Sequence, residues 1–234
     1  MVEERALTEV KDRVAVVRER MERSAERAGR GVAEIKLMAV TKTRRVEEML
    51  EAAPFVDMLG ENRVQEAAVK KRDWPGSVTL QWRLIGHLQS NKARKALTLF
   101  DTLDSLDSEG LASDVNRIAG DLGRDVPVLI EVNTSGEVSK TGVAPEDFPK
   151  LLERVLACPR LKLEGLMTIG PLTEDEARVR SAFAHLREMA AGVRAASGLP
   201  LPVLSMGMSG DYEWAILEGS TLIRIGTLLF GARH

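Results

Sequence analysis

Ile35-Lys36-Leu37-Met38-Ala39-Val40-Thr41 reads as a short apolar strand, closed by Lys42 before the helical stretch Arg44–Ala53 begins. The same unit, a β-rich run and then a helix-forming run, recurs down the chain. Further β-rich runs occupy 56–60, 79–86, 100–103, 126–133, 161–169, 203–206 and 221–230. Helical stretches fall between most of them, at Arg63–Arg72, Asn91–Leu97, Ser108–Leu122, Pro145–Leu156, Glu174–Ala196 and Tyr212–Leu217. Strands that alternate with helices pair in parallel through crossovers. Eight such units in about 200 residues predict an α/β fold, a (β/α)8 TIM-type barrel. The rival is an open doubly wound sheet, but the first strand lacks the Gly-rich turn that a dinucleotide-binding sheet carries.

Ahead of the first strand, Leu7, Val10, Val14, Val17 and Met21 recur at three- and four-residue spacing. That spacing predicts an amphipathic N-terminal helix within residues 1–30, stopped by Gly29 and Gly31. With no repeat and no long linker, residues 1–234 read as one domain, with the barrel over 35–231. Apolar residues make up 44% and charged residues 29%, values of an ordinary globular core. A net charge of −2 argues against nucleic acid as the main partner. One cysteine, Cys158, excludes an intrachain disulfide, and three scattered histidines make no metal pattern. The Glu- and Arg-rich N-terminus is no signal peptide, and no apolar run approaches the ~20 residues of a membrane span. The expectation is a cytoplasmic protein.

In a barrel the functional face lies at the C-terminal ends of the strands. A lysine at such a rim is either the start of a solvated loop or a partly desolvated amine, nucleophilic enough to form a Schiff base. At the far end of the chain, Ser220–Thr227 reads as a strand ending in the Gly226-Thr227 step, and Ser205, Gly207 and Ser209 occupy the preceding loop. Glycine N–H groups and hydroxyls at that position make a phosphate seat. An amine and a phosphate seat on one rim point to a cofactor that carries both an aldehyde and a phosphate. Arg224, two residues before Gly226, shares its face by alternation. It either pairs with a carboxylate such as Glu131 or faces the pyridine nitrogen of pyridoxal phosphate.

Seven ordered blocks then carry a resemblance. They are Ala39-Val40-Thr41-Lys42, Gly60-Glu61-Asn62, Ile85-Gly86-His87-Leu88-Gln89-Ser90-Asn91-Lys92, Ser135-Gly136-Glu137 with Ser139-Lys140 and Gly142, Gly165-Leu166-Met167-Thr168, Leu204-Ser205-Met206-Gly207-Met208-Ser209, and Ile223-Arg224-Ile225-Gly226-Thr227. Over residues 35–233 the chain resembles the pyridoxal phosphate homeostasis proteins, relatives of the alanine racemase barrel. The resemblance implies that Lys42 carries pyridoxal 5'-phosphate as an aldimine, that Arg224 faces the pyridine nitrogen, and that Ser209, Gly226 and Thr227 hold the phosphate. Asn62, Met167, Ser205 and Met206 would lie nearby. Val64 stands where relatives often carry an aromatic residue, on a helix flank where little effect is expected.

Two functions compete. A racemase or related enzyme needs a second acid/base opposite the lysine. In the racemases that this barrel resembles, a tyrosine from an added β-domain of the partner subunit supplies it, and this sequence ends at His234 without one. Its one tyrosine, Tyr212, reads as a packing or surface residue, and His87 as a loop-ordering one. A carrier needs no second base, and a fixed cation at the ring nitrogen weakens the ring as an electron sink. The expectation is therefore a pyridoxal-phosphate-binding homeostasis protein, monomeric and without catalytic residues, with apo-enzymes as candidate recipients. Lys92 and Lys140 are either solvated loop lysines or secondary phosphate-attracting groups.

Overall fold

The computed structural model describes residues 9–137 and 140–231. Leu7, Ser139 and the last three residues, all used in the sequence reading, lie outside that range. Eight parallel strands pair in chain order, and the last returns to the first, so the expected barrel is closed. They are β1 (Lys36–Val40), β2 (Met58–Glu61), β3 (Gln81–Leu84), β4 (Thr102–Leu106), β5 (Val126–Glu131), β6 (Leu161–Met167), β7 (Val203–Ser205) and β8 (Leu222–Ile225). The N-terminal helix α1 (Val10–Arg27) precedes them. Between them run α2 (Val46–Ala52), α3 (Val64–Asp73), α4 (Ala93–Leu99), α5 (Glu109–Asp121), α6 (Phe148–Leu156), α7 (Glu176–Ser197) and α8 (Tyr212–Leu217). Among the described residues, no helix is long and apolar enough to cross a membrane.

Period-two alternation sorts each strand. Leu37, Ala39, Ile223 and Ile225 point outward into one apolar layer shared with the helices. Met38, Met58 and Leu222 form a separate small cluster with Ile85 and Val203, inside the barrel. Register partners in a parallel pair share a face, so Arg224, opposite Met38, also faces inward. On α1, Val10, Val14, Val17 and Met21 are buried as their spacing predicts, and the helix packs on α2 and α8.

One predicted element is corrected. The run 221–230 is not all strand: β8 ends at Ile225, and α9 (Thr227–Phe230) is a helical turn. Short apolar runs look alike as strand or buried helix. Here Gly226 starts the turn, its carbonyl accepting from Leu229 and Phe230 N–H at 3.0 Å each. Tyr212 opens α8, the helical stretch expected there, and is buried against α1.

Gly165 shows how tightly the ring is drawn. A Cβ there would lie 1.8 Å from the carbonyl oxygen of Val203, its register partner on β7. Gly165→Ala should force β6 and β7 apart and cost about 3 kcal/mol, read as a lower denaturant midpoint. An unchanged midpoint would mean that these strands have slack.

Candidate functional site

The predicted residues converge on the C-terminal rim. Lys42 is half-buried in the turn after β1, and Asn62 is half-buried after β2. Met167 ends β6, Ser205 ends β7, and Arg224 lies within β8. Because β1 pairs with β8 from Lys36↔Leu222 to Ala39↔Ile225, their ends are neighbours, about 4.8 Å apart. Gly226 lies against β1: a Cβ on it would sit 3.3 Å from the Val40 carbonyl. The loop after β7 meets the same place, where Ser209 Oγ accepts from Leu228 N–H of α9 at 3.4 Å. Closure of the barrel thus sets the end of β1, which Lys42 follows, against Gly226, with Ser209 bonded to the adjoining α9.

The interior beneath this rim is charged. Arg224, 4% exposed, donates from Nη1 to Ser205 Oγ at 2.7 Å and from Nη2 to the Thr168 carbonyl at 2.8 Å. Burial lowers its pKa, opposed by the charges of Asp211, Glu131 and Asp104. Of the two alternatives for Arg224, the ion pair with Glu131 is not formed. Glu131 Oε1 instead accepts from Thr141 Oγ1 at 2.6 Å, and burial raises the pKa of its carboxyl. Ser205 therefore orients the guanidinium.

Met167, fully buried, is the register partner of both Glu131 and Ser205, so it faces inward with them. Met206 is not brought to the mouth. The residue after an inward Ser205 must point outward, and Met206 sits in the outer apolar layer. Its N–H donates to Leu222 O at 3.1 Å and its carbonyl accepts from Ser220 Oγ at 2.7 Å, so its backbone is engaged as well.

Other rim residues have partners. His87 Nδ1 lies 2.7 Å from Asp107 Oδ2 and joins the loops after β3 and β4. Lys92, with Asn62 and His87, lines a cleft of about 320 Å³ between the loops after β2 and β3. Lys140 is not a solvated lysine: its side chain is 15% exposed, its Nζ donates to the Gly170 carbonyl, and Glu137 lies 3.3 Å away. Val64 opens α3 as a buried core residue.

Two buried networks escaped the sequence reading. Arg83 Nε donates to both oxygens of Asp104, at 3.1 and 2.9 Å, inside the barrel. Beside Lys42, the buried Lys70 ammonium joins Thr41, Glu61 and Glu66. The available signal was a charge inside each apolar strand, in Trp82-Arg83-Leu84 and Leu103-Asp104-Ser105, and the four-residue spacing of Glu66 and Lys70.

The alanine racemase N-terminal domain family matches residues 14–234. A pyridoxal phosphate homeostasis protein of Aquifex aeolicus is 42% identical over 223 residues, 95% of this chain and 97% of its own. The chain belongs to the pyridoxal phosphate homeostasis protein family. Among solved structures, PipY of Synechococcus elongatus with PLP bound superposes with a TM-score of 0.77 at 38% identity, over 91% of this chain and all of PipY. An alanine racemase of Clostridium difficile aligns at TM-score 0.73 and 16% identity, over 95% of this chain and 60% of its own, a likeness of fold.

The interior pair gives a pH-dependent test. Arg83→Met leaves Asp104 buried and unpaired and should cost about 3–5 kcal/mol at neutral pH. Burial already raises the Asp104 pKa above its usual value. A raised folded pKa means stability is greatest below the unfolded value and is lost as the pH rises through the folded one. Losing Arg83 raises that pKa further, so the variant's deficit should shrink as acid protonates Asp104. Urea titrations at several pH values would read this, and a deficit independent of pH would contradict it.

Proposed function

We propose that this chain binds pyridoxal 5'-phosphate at the mouth of the barrel and serves the homeostasis of that cofactor as a carrier. The observation that supports this most is the β1–β8 pairing, which brings the end of β1, just before Lys42, against Gly226 at the end of β8. Bound pyridoxal phosphate supplies an aldehyde that condenses reversibly with an amine, releasing water, and a phosphate that needs an anion seat. Lys42 would supply the amine. Ser209, Gly226 and Thr227 would hold the phosphate. Arg224, kept in place by Ser205 and Thr168, would face the ring nitrogen as a permanent cation that donates a hydrogen bond and no proton. Asn62 Oδ1 and Glu131 Oε2 are buried acceptors without a partner, atoms that a polar ligand would complete.

The relatives' shared name and the PLP-bound PipY agree with this reading. Racemisation would need a second base opposite Lys42. Tyr212 does not fit that task, because it is buried against α1 and burial pushes its hydroxyl up to about 12. His87 is held by Asp107, and its side chain is half exposed. Within this reading the recipients are cytoplasmic apo-enzymes that use the cofactor.

Protein reconstituted with pyridoxal phosphate should absorb visible light. Lys42→Ala should lose that band and keep its far-UV circular dichroism. Added L-alanine should leave the band in place and keep its own chirality. Racemised alanine would replace the carrier with an enzyme, and a band that survived in Lys42→Ala would move the anchor elsewhere.

A further inference from the structure

Lys42 sits at the second position of a tight turn, closed by Arg44 N–H donating to the Thr41 carbonyl at 3.0 Å. Both of its neighbours are fastened from outside. Thr41 is fully buried, and its Oγ1 donates to Glu61 Oε1 at 2.6 Å. Thr43 has φ +64°, a left-handed conformation unfavourable for a β-branched residue. Its N–H donates to Glu66 Oε1, which helps to hold the strained residue in place. Lys70 links the two halves: its Nζ donates to the Thr41 carbonyl, Glu61 Oε1 and Glu66 Oε1, each at 2.6 Å. All three ammonium protons are used.

Such a network is costly for mere packing. The Lys70 side chain is 7% exposed and that of Glu61 is 0% exposed, and burial raises the Glu61 pKa despite the neighbouring ammonium. Apolar side chains of similar volume often replace a buried ion pair without loss of stability. What an apolar side chain at 70 would not do is hold a backbone carbonyl and a left-handed residue on either side of one lysine.

We infer that Lys70 is the positioning residue of the cofactor anchor. Through the Thr41 carbonyl and Glu66 it fixes the strained turn that presents Lys42 to the phosphate seat beside it. Lys70 acts through its neighbours, since its protons are all engaged. The inference rests on Lys42 being the anchor.

The test compares two ligands on the full chain. Pyridoxal phosphate can bond to Lys42, whereas pyridoxine 5'-phosphate, an alcohol, can occupy only the seat. Lys70→Met should weaken pyridoxal phosphate binding by roughly tenfold or more, as expected of a displaced reacting group, and leave pyridoxine 5'-phosphate affinity as in the parent. Glu66→Ala keeps the Lys70–Glu61 pair and frees Thr43, so it carries the same test if Lys70→Met fails to fold. Adding Thr43→Gly to Glu66→Ala should recover part of the loss, because glycine adopts the left-handed turn without strain. Equal weakening of both ligands, or of neither, would overturn the role of Lys70. If Lys42→Ala bound pyridoxal phosphate as tightly as the parent, the anchor itself would be wrong and this inference would fall with it. If only Lys42→Ala were weakened, the anchor would stand and the inference alone would fail.

Discussion

The parallel hydrogen bonds that join β8 back to β1 turn an eight-stranded sheet into a ring, with Met38 opposite Arg224 and Ala39 opposite Ile225. An open sheet would leave residues 42 and 226 on two distant edges. Closure makes the first and last strand ends neighbours, and residues about 180 positions apart in sequence meet across one strand spacing. The register then sets which side chains look inward. It sends Arg224 toward the axis and Ile223 and Ile225 into the helical layer. A one-residue slip of β8 would exchange those two sets.

Burying charge in such a ring is expensive, and nearly every charged group here is matched to a partner. Arg83 has Asp104, Lys70 has two carboxylates and a carbonyl, and Arg224 has a hydroxyl and a carbonyl. Arg224 is the unusual member, because its direct hydrogen bonds are to neutral groups. A guanidinium held by neutral acceptors keeps its positive charge available to a ligand, which a bidentate carboxylate would neutralise. The unpartnered oxygens of Asn62 and Glu131 carry the complementary message. Around Arg224 the interior is polar, with hydrogen-bonding capacity left over.

The architecture was legible because eight β-rich runs each precede or follow a helical one, and that order leaves few topologies. The rim residues were legible because glycines, serines and one lysine cluster at strand ends. The end of β8 was not, since Thr227-Leu228-Leu229-Phe230 is as apolar as a strand and only Gly226 marks the turn. Of the two readings open for Arg224, the carboxylate pair is not formed, and its acceptors, Ser205 Oγ and a backbone carbonyl, are ones that sequence does not advertise. Met206 was placed by its block, and alternation after Ser205 sends it outward. Lys70 stands next to Lys71 in a helical run, and its burial depends on where α3 packs.

The most direct measurement is a crystal structure of the protein with pyridoxal 5'-phosphate. The account predicts the phosphate between Ser209 and the first turn of α9, the aldehyde carbon bonded to Lys42 Nζ, and Arg224 facing the ring nitrogen. A phosphate in the cleft beside His87 and Lys92, or a bond to any other lysine, would contradict it.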